Sequence, residues 1–177
     1  MVNTMKLNKW LLLHTICIFL LNFPLHFLYD IFPNFFTSLI SPVNESIFEH
    51  MKMLFSSFII WSILYSFIFK RKDIISYLFS FTISSILCVG IFLTLYIPFI
   101  IIYKEVMFIT FILLFLSILL AQIACYYILF YTKIKYQSVI TFSILLIFYI
   151  MFFYFTYYPP KLEFFKDPIN QTYGLSS

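Results

Sequence analysis

The chain reads as an all-α polytopic membrane protein: a bundle of five transmembrane helices, with the N-terminus in the cytoplasm and the C-terminus outside. Three observations predict this. Of 177 residues, 63% are hydrophobic, 24% aromatic and only 10% charged, a composition suited to lipid and not to a water-facing surface. Apolar runs of about twenty residues or more recur five times, and at 1.5 Å per residue each crosses a hydrocarbon core of roughly 30 Å. The charged residues fall between the runs, with the positive ones gathered on one side.

The first span covers about 10–29, preceded by Lys6 and Lys9. It begins like a signal peptide, but it is too long and lacks a small-residue cleavage site, so it is read as an uncleaved helix. A second helix is expected over 42–69, with Ser41 as N-cap and Pro42 at the first helical position, where a missing N–H is harmless. Lys70-Arg71-Lys72-Asp73 ends it. The third run, 74–103, is longer than one span requires and contains Pro98, which is expected to kink or shorten it. The fourth and fifth cover about 106–131 and 139–157, and Pro159-Pro160 then stops helix. The tail, 158–177, is rich in turn formers and aromatics, which suits a segment lying at headgroup level across the end of the bundle. The whole chain, 1–177, is read as a single transmembrane domain.

Lys6, Lys9, Lys70, Arg71, Lys72, Lys133 and Lys135 fall on one side, which identifies it as cytoplasmic. The other side carries Lys52, Lys104, Lys161 and Lys166 against six acids, Asp30, Glu45, Glu49, Glu105, Glu163 and Asp167. The expected location is the cell membrane, with the motif-bearing ends on the outer face and the lipid bilayer as the partner. The basic residues form no groove-sized patch, which argues against nucleic acid. No glycine-rich phosphate loop exists in a chain with two glycines, which argues against nucleotides. Cys17, Cys88 and Cys125 fall within spans without a CxxC pair and read as small packing residues.

Chemistry concentrates at Pro42-Val43-Asn44-Glu45-Ser46-Ile47-Phe48-Glu49-His50-Met51-Lys52. Projected at 100° per residue, Glu45, Ser46, Glu49, His50, Lys52, Met53, Ser56 and Ser57 share one arc of a helix, which must face protein or water. At the outer end of the first span His26 and Asp30 are spaced i, i+4 and share a face, and the helical hairpin carries them beside that arc. His26, Asp30, Glu45, Glu49 and His50 are therefore candidate ligands for one divalent metal, because imidazole and carboxylate together suit zinc, manganese or iron. Glu45, Glu49 and His50 are equally candidates for metal-free acid and base catalysis. A structural reading stands beside both: Ser46 with Glu49 has capping-box spacing, acids favour a helix N-terminus, and Glu49 can pair with Lys52 at i, i+3. His14, mid-span, reads as a hydrogen-bonded packing residue, and Pro24 leaves the Leu20 carbonyl without its helical donor.

The sequence resembles a family of small bacterial multi-pass membrane proteins known as a domain of unknown function. The resemblance rests on a PVNESxWEHxK segment, here Pro42 to Lys52 and including Asn44 and Ser46, and on a C-terminal FTxxPP, DP and YG pattern. In this chain those are Phe155 to Pro160, Asp167-Pro168 and Tyr173-Gly174. His26 and Tyr29 stand where the family has H-x-x-Y. Phe48 replaces the usual Trp, and Asn170-Gln171 replaces a pair that often contains Gly. The resemblance implies fold and membership and lends no mechanism. The residues themselves favour, as an active reading, a metal-dependent or acid/base hydrolase acting on a lipid or other interfacial substrate. The rivals are a transporter or proton-coupled carrier, and a structural protein in which the cluster only fixes the helix hairpin.

Overall fold

The computed structural model describes residues 4–103 and 106–175. Lys104 and Glu105, assigned above to a loop on the outer face, lie outside the described residues, as do the last two residues of the tail. Five long helices form: α1 Thr4–Ile31, α3 Ile47–Ile68, α4 Ile74–Tyr103, α5 Met107–Tyr131 and α6 Gln137–Tyr157. All five are long and apolar enough to cross a membrane. A short helix, α2 Phe35–Ile40, and a 3-10 turn over Glu163–Phe165 complete the secondary structure among the described residues.

α3 is the central helix, with 67% of its span inside the protein. It packs on α1 and α4; α5 bridges α1 and α4, α6 lies on α4, and α2 touches α1, α3 and α6. Close packing here does not use glycine. Ser57 and Ser62 donate to the carbonyls of Leu54 and Ile59 at 2.7 and 2.8 Å, and Ser66 to that of Ser62 at 2.7 Å. Each hydroxyl is satisfied inside its own helix and leaves a small surface for a neighbour. Buried Ser117, whose hydroxyl donates to the Leu113 carbonyl at 2.7 Å, and buried Ala121, Cys125 and Cys88 also present small surfaces on α5 and α4. The aromatic residues are partly lipid-facing and partly core: Phe55 stacks on Phe148 at 4.7 Å, and Phe58 and Phe81 are fully buried. His14 is buried, and its Nδ1 accepts from the Trp61 indole at 2.8 Å. At the opposite end from the motif, Arg71 donates to the Tyr65 hydroxyl at 2.7 Å, which raises its already high pKa.

α4 continues through Pro98 to Tyr103, so the proline does not shorten it. Residues 35–40 form the helix α2, capped by Asn34, whose side chain accepts from the backbone of Phe36 and Thr37. The second transmembrane helix begins at Ile47, not at Pro42: Ser46 is its N-cap, accepting from the Glu49 backbone, and 42–46 is non-helical. Ser41 is engaged elsewhere. Its hydroxyl donates to the Leu25 carbonyl at 2.6 Å and accepts from the Tyr29 N–H at 3.0 Å, inserting between an i, i+4 pair of α1 just beyond Pro24. A serine spliced into another helix's ladder cannot cap its own.

Candidate functional site at one end of the bundle

The end of α1, the start of α3, the end of α6 and the C-terminal tail meet at one end of the bundle, and 41–52 threads between them. Two polar clusters form there, and the five candidate ligands separate between them.

The first is a clamp. Glu49 and Lys52, side chains 1% and 0% exposed, form a salt bridge inside the protein. The Glu49 carboxylate also accepts from the Val43 N–H at 3.1 Å and the Thr156 hydroxyl at 2.9 Å. The Lys52 ammonium also donates to the Ser38 carbonyl at 2.6 Å and to the Thr156 oxygen at 3.0 Å. All three ammonium protons are thus used, and one ion pair joins α2, the 42–46 segment, α3 and α6. Complete hydrogen bonding is what makes such a pair tolerable away from water. Thr156, legible in the sequence only as a letter of the FTxxPP pattern, is the residue that completes it.

The tail is locked to the same segment. The Leu175 N–H donates to the Thr156 carbonyl at 3.1 Å, and the Asn44 amide to the Gly174 carbonyl at 3.0 Å. Lys166 and Tyr173 pair as an antiparallel bridge closing the loop between them. Asp167 fills that loop, its carboxylate accepting from the backbone N–H groups of Ile169 and Asn170 at 2.7 and 3.1 Å and from the Asn170 amide at 3.0 Å. Burial raises the Asp167 carboxyl, but these donors, joined by the Glu45 backbone, bring it below its usual range. Gln171 has φ 58°, the left-handed region, at the pair where the resembling family often has Gly. Gly174 has φ +54°, and a Cβ there would lie 2.3 Å from the Thr156 carbonyl oxygen. Gly174→Ala therefore combines a left-handed strain of roughly 1–2 kcal/mol with a backbone clash. It is expected to free the tail, seen as faster limited proteolysis beyond Pro160 than in the parent protein.

The second cluster is His26, Glu45 and His50. Their Nε2 atoms lie 3.1 Å apart, and Glu45 Oε2 is 3.7 Å from that of His26 and 3.4 Å from that of His50. Their possible ligand atoms all lie within 4.8 Å of one another, and Asp30 and Glu49 do not belong to the group. The side chains are partly open, 28%, 40% and 29% exposed for His26, Glu45 and His50. His50 Nδ1 lies 2.9 Å from the Ser46 carbonyl, a contact that requires the proton on Nδ1 and leaves the Nε2 lone pair directed at the cluster. The two imidazoles, His26 first, hold the Glu45 carboxyl far below the usual carboxylate range, against the opposing effect of burial. Glu45 therefore stays ionised.

Glu45 and Glu49 share one arc of a helical projection, but Glu45 precedes the N-cap Ser46, so the helical wheel does not apply to it. Asp30 stands one turn beyond His26 and lines, with Glu45, Asn44, Asn170 and Thr172, an open cavity of about 300 Å³. No curated protein and no solved structure matches the chain. Over residues 1–175 it matches the family described as "Family of unknown function (DUF6512)", five of whose helices here are long and apolar enough to span a membrane, and the chain belongs to that family.

Proposed function

We propose that this multi-pass membrane protein is a zinc-type metal-dependent hydrolase, with His26, His50 and Glu45 as its ligands and a lipid or other interfacial compound as its substrate. One observation carries the reading. Four ligands at about 2.0–2.1 Å around a tetrahedral ion lie about 3.3 Å from one another, and the three separations here are 3.1, 3.4 and 3.7 Å. His26, His50 and Glu45 would hold such an ion through two imidazoles and one carboxylate, and the ion would supply Lewis-acid activation of water for hydrolysis.

The cytoplasmic N-terminus and outer site are part of the same proposal. Lys70, Arg71, Lys72, Lys133 and Lys135 lie at the end of the bundle opposite the site, and Lys52 is internal, so it does not count among the outer loop cations.

Zinc-loaded protein in lipid nanodiscs should release a lipid hydrolysis product detectable by mass spectrometry, and Glu45→Gln and His50→Ala should not. Turnover that is the same with and without zinc, or none on any lipid, removes the hydrolase reading. Metal retention should also depend on pH in a defined direction. With Glu45 held ionised, protons compete with the metal for the imidazole nitrogens, so metal is retained at higher pH and lost as pH falls. Equilibrium dialysis at graded pH reads the midpoint.

A further inference from the structure

Thr82, Ser117 and Thr141 each donate to the carbonyl four residues back in their own helix, at 2.7 Å. Thr15, 1% exposed, does not: its hydroxyl has no hydrogen-bond partner among the described residues. Its neighbour His14 is fully buried. The Trp61 indole can only donate, so His14 Nδ1, which accepts from it at 2.8 Å, holds the lone pair, and Nε2 carries the proton of a neutral ring. That Nε2–H has no acceptor among the described residues. One turn earlier on α1, the Trp10 and His14 ring centroids lie 3.8 Å apart, and the Trp10 indole N–H is unpaired in the same way.

α5 brings a fourth unpaired group to the same level. Trp10 meets Tyr126 with ring centroids 5.9 Å apart, and Phe19 meets Phe115 at 5.5 Å. Those two contacts fix the antiparallel register of α1 and α5 and set Gln122, between the two α5 rings, level with His14 and Thr15. Gln122 is i, i+4 from Tyr126 and shares its face. It is fully buried, and neither its amide nitrogen nor its oxygen has a partner among the described residues. Buried donors and acceptors that face one another beyond hydrogen-bond reach require a bridging molecule. We infer that water is bound inside the bundle between α1 and α5, joining the His14 Nε2–H and the Thr15 hydroxyl to the Gln122 amide. These groups, with the Trp10 N–H beside them, supply the two to four polar partners that a buried water needs. All four side chains are neutral, so an ion would find no counter-charge there. The site lies about 18 Å along α1 from His26, at 1.5 Å per residue, and is independent of the metal reading, since none of its residues belongs to the His26, Glu45 and His50 group.

The chain has three histidines, so 15N-histidine labelling gives a readable solid-state NMR spectrum of the full protein in lipid bilayers, with the His14 signal assigned by its loss in His14→Phe. With carbon-bound protons replaced by deuterium, magnetisation that starts on water protons should reach His14 Nε2 at short mixing times. It should also reach the partly exposed His26 and His50, which serve as controls. Gln122→Leu should abolish the transfer to His14 and leave the transfers to His26 and His50 unchanged. A parent protein in which His26 and His50 receive water magnetisation and His14 does not overturns the inference, whatever the variant does. Transfer to His14 that persists undiminished in Gln122→Leu overturns it as well, because the water would then have no bridge to α5.

Discussion

Lys52→Met is expected to destabilise the protein by about 3–5 kcal/mol, the usual result of removing one partner of a buried ion pair. Methionine fills much the same volume, so the loss is electrostatic. The Glu49 carboxylate, 1% exposed, keeps the Val43 and Thr156 donors but loses its counter-charge, and the Ser38 carbonyl loses its donor. Replacing both partners, Glu49→Gln with Lys52→Met, should recover part of the loss, because no unpaired charge then remains inside. Thermal unfolding in mild detergent, followed by circular dichroism, distinguishes the outcomes. A single variant as stable as the parent would mean that the ion pair does not hold the ends of α2, α3 and α6 together. The clamp also predicts an order of effects: Lys52→Met should lower metal retention only where it lowers stability, since Lys52 is not among the three proposed ligand residues.

His50→Ala should have the opposite profile. It removes one of the three proposed ligands, and the affinity loss should exceed the 10–100-fold typical of losing a residue that merely orients a ligand. Stability should fall less than with Lys52→Met, because the His50 side chain is 29% exposed whereas that of Lys52 is fully buried. Asp167→Asn should leave the metal bound and loosen the tail, since Asp167 orders the 166–173 loop without belonging to the triad.

Much of the fold was legible in the sequence because a bilayer allows few solutions: long apolar runs between charged loops are helices, and the five runs fall within a few residues of the helices observed. What escaped is what tertiary contacts decide. Ser41-Pro42 carries every local mark of a helix start, yet α1 takes the Ser41 hydroxyl and Ser46 caps α3 instead. Six residues, Phe35–Ile40, are too few to show a period, so α2 left no trace. The meeting of His26 with His50 follows from a hairpin that joins the end of one span to the start of the next. The separation of Glu45 from Glu49 does not follow, because it depends on that displaced N-cap: one carboxylate stays in a loop facing the imidazoles, the other enters the helix facing Lys52 and Thr156. The tail's contribution was visible as a pattern without a mechanism, which the geometry of Thr156, Asp167 and Gly174 now supplies.

The measurement that bears most directly on the central claim is metal content combined with zinc-edge X-ray absorption, on untagged protein purified in mild detergent and on a His26→Ala, Glu45→Gln, His50→Ala variant shown to be folded. One zinc per parent chain is expected, with only nitrogen and oxygen neighbours at about 2.0–2.1 Å, and none in the variant. A parent without metal, a sulfur neighbour at the zinc, or undiminished zinc in the variant would contradict it.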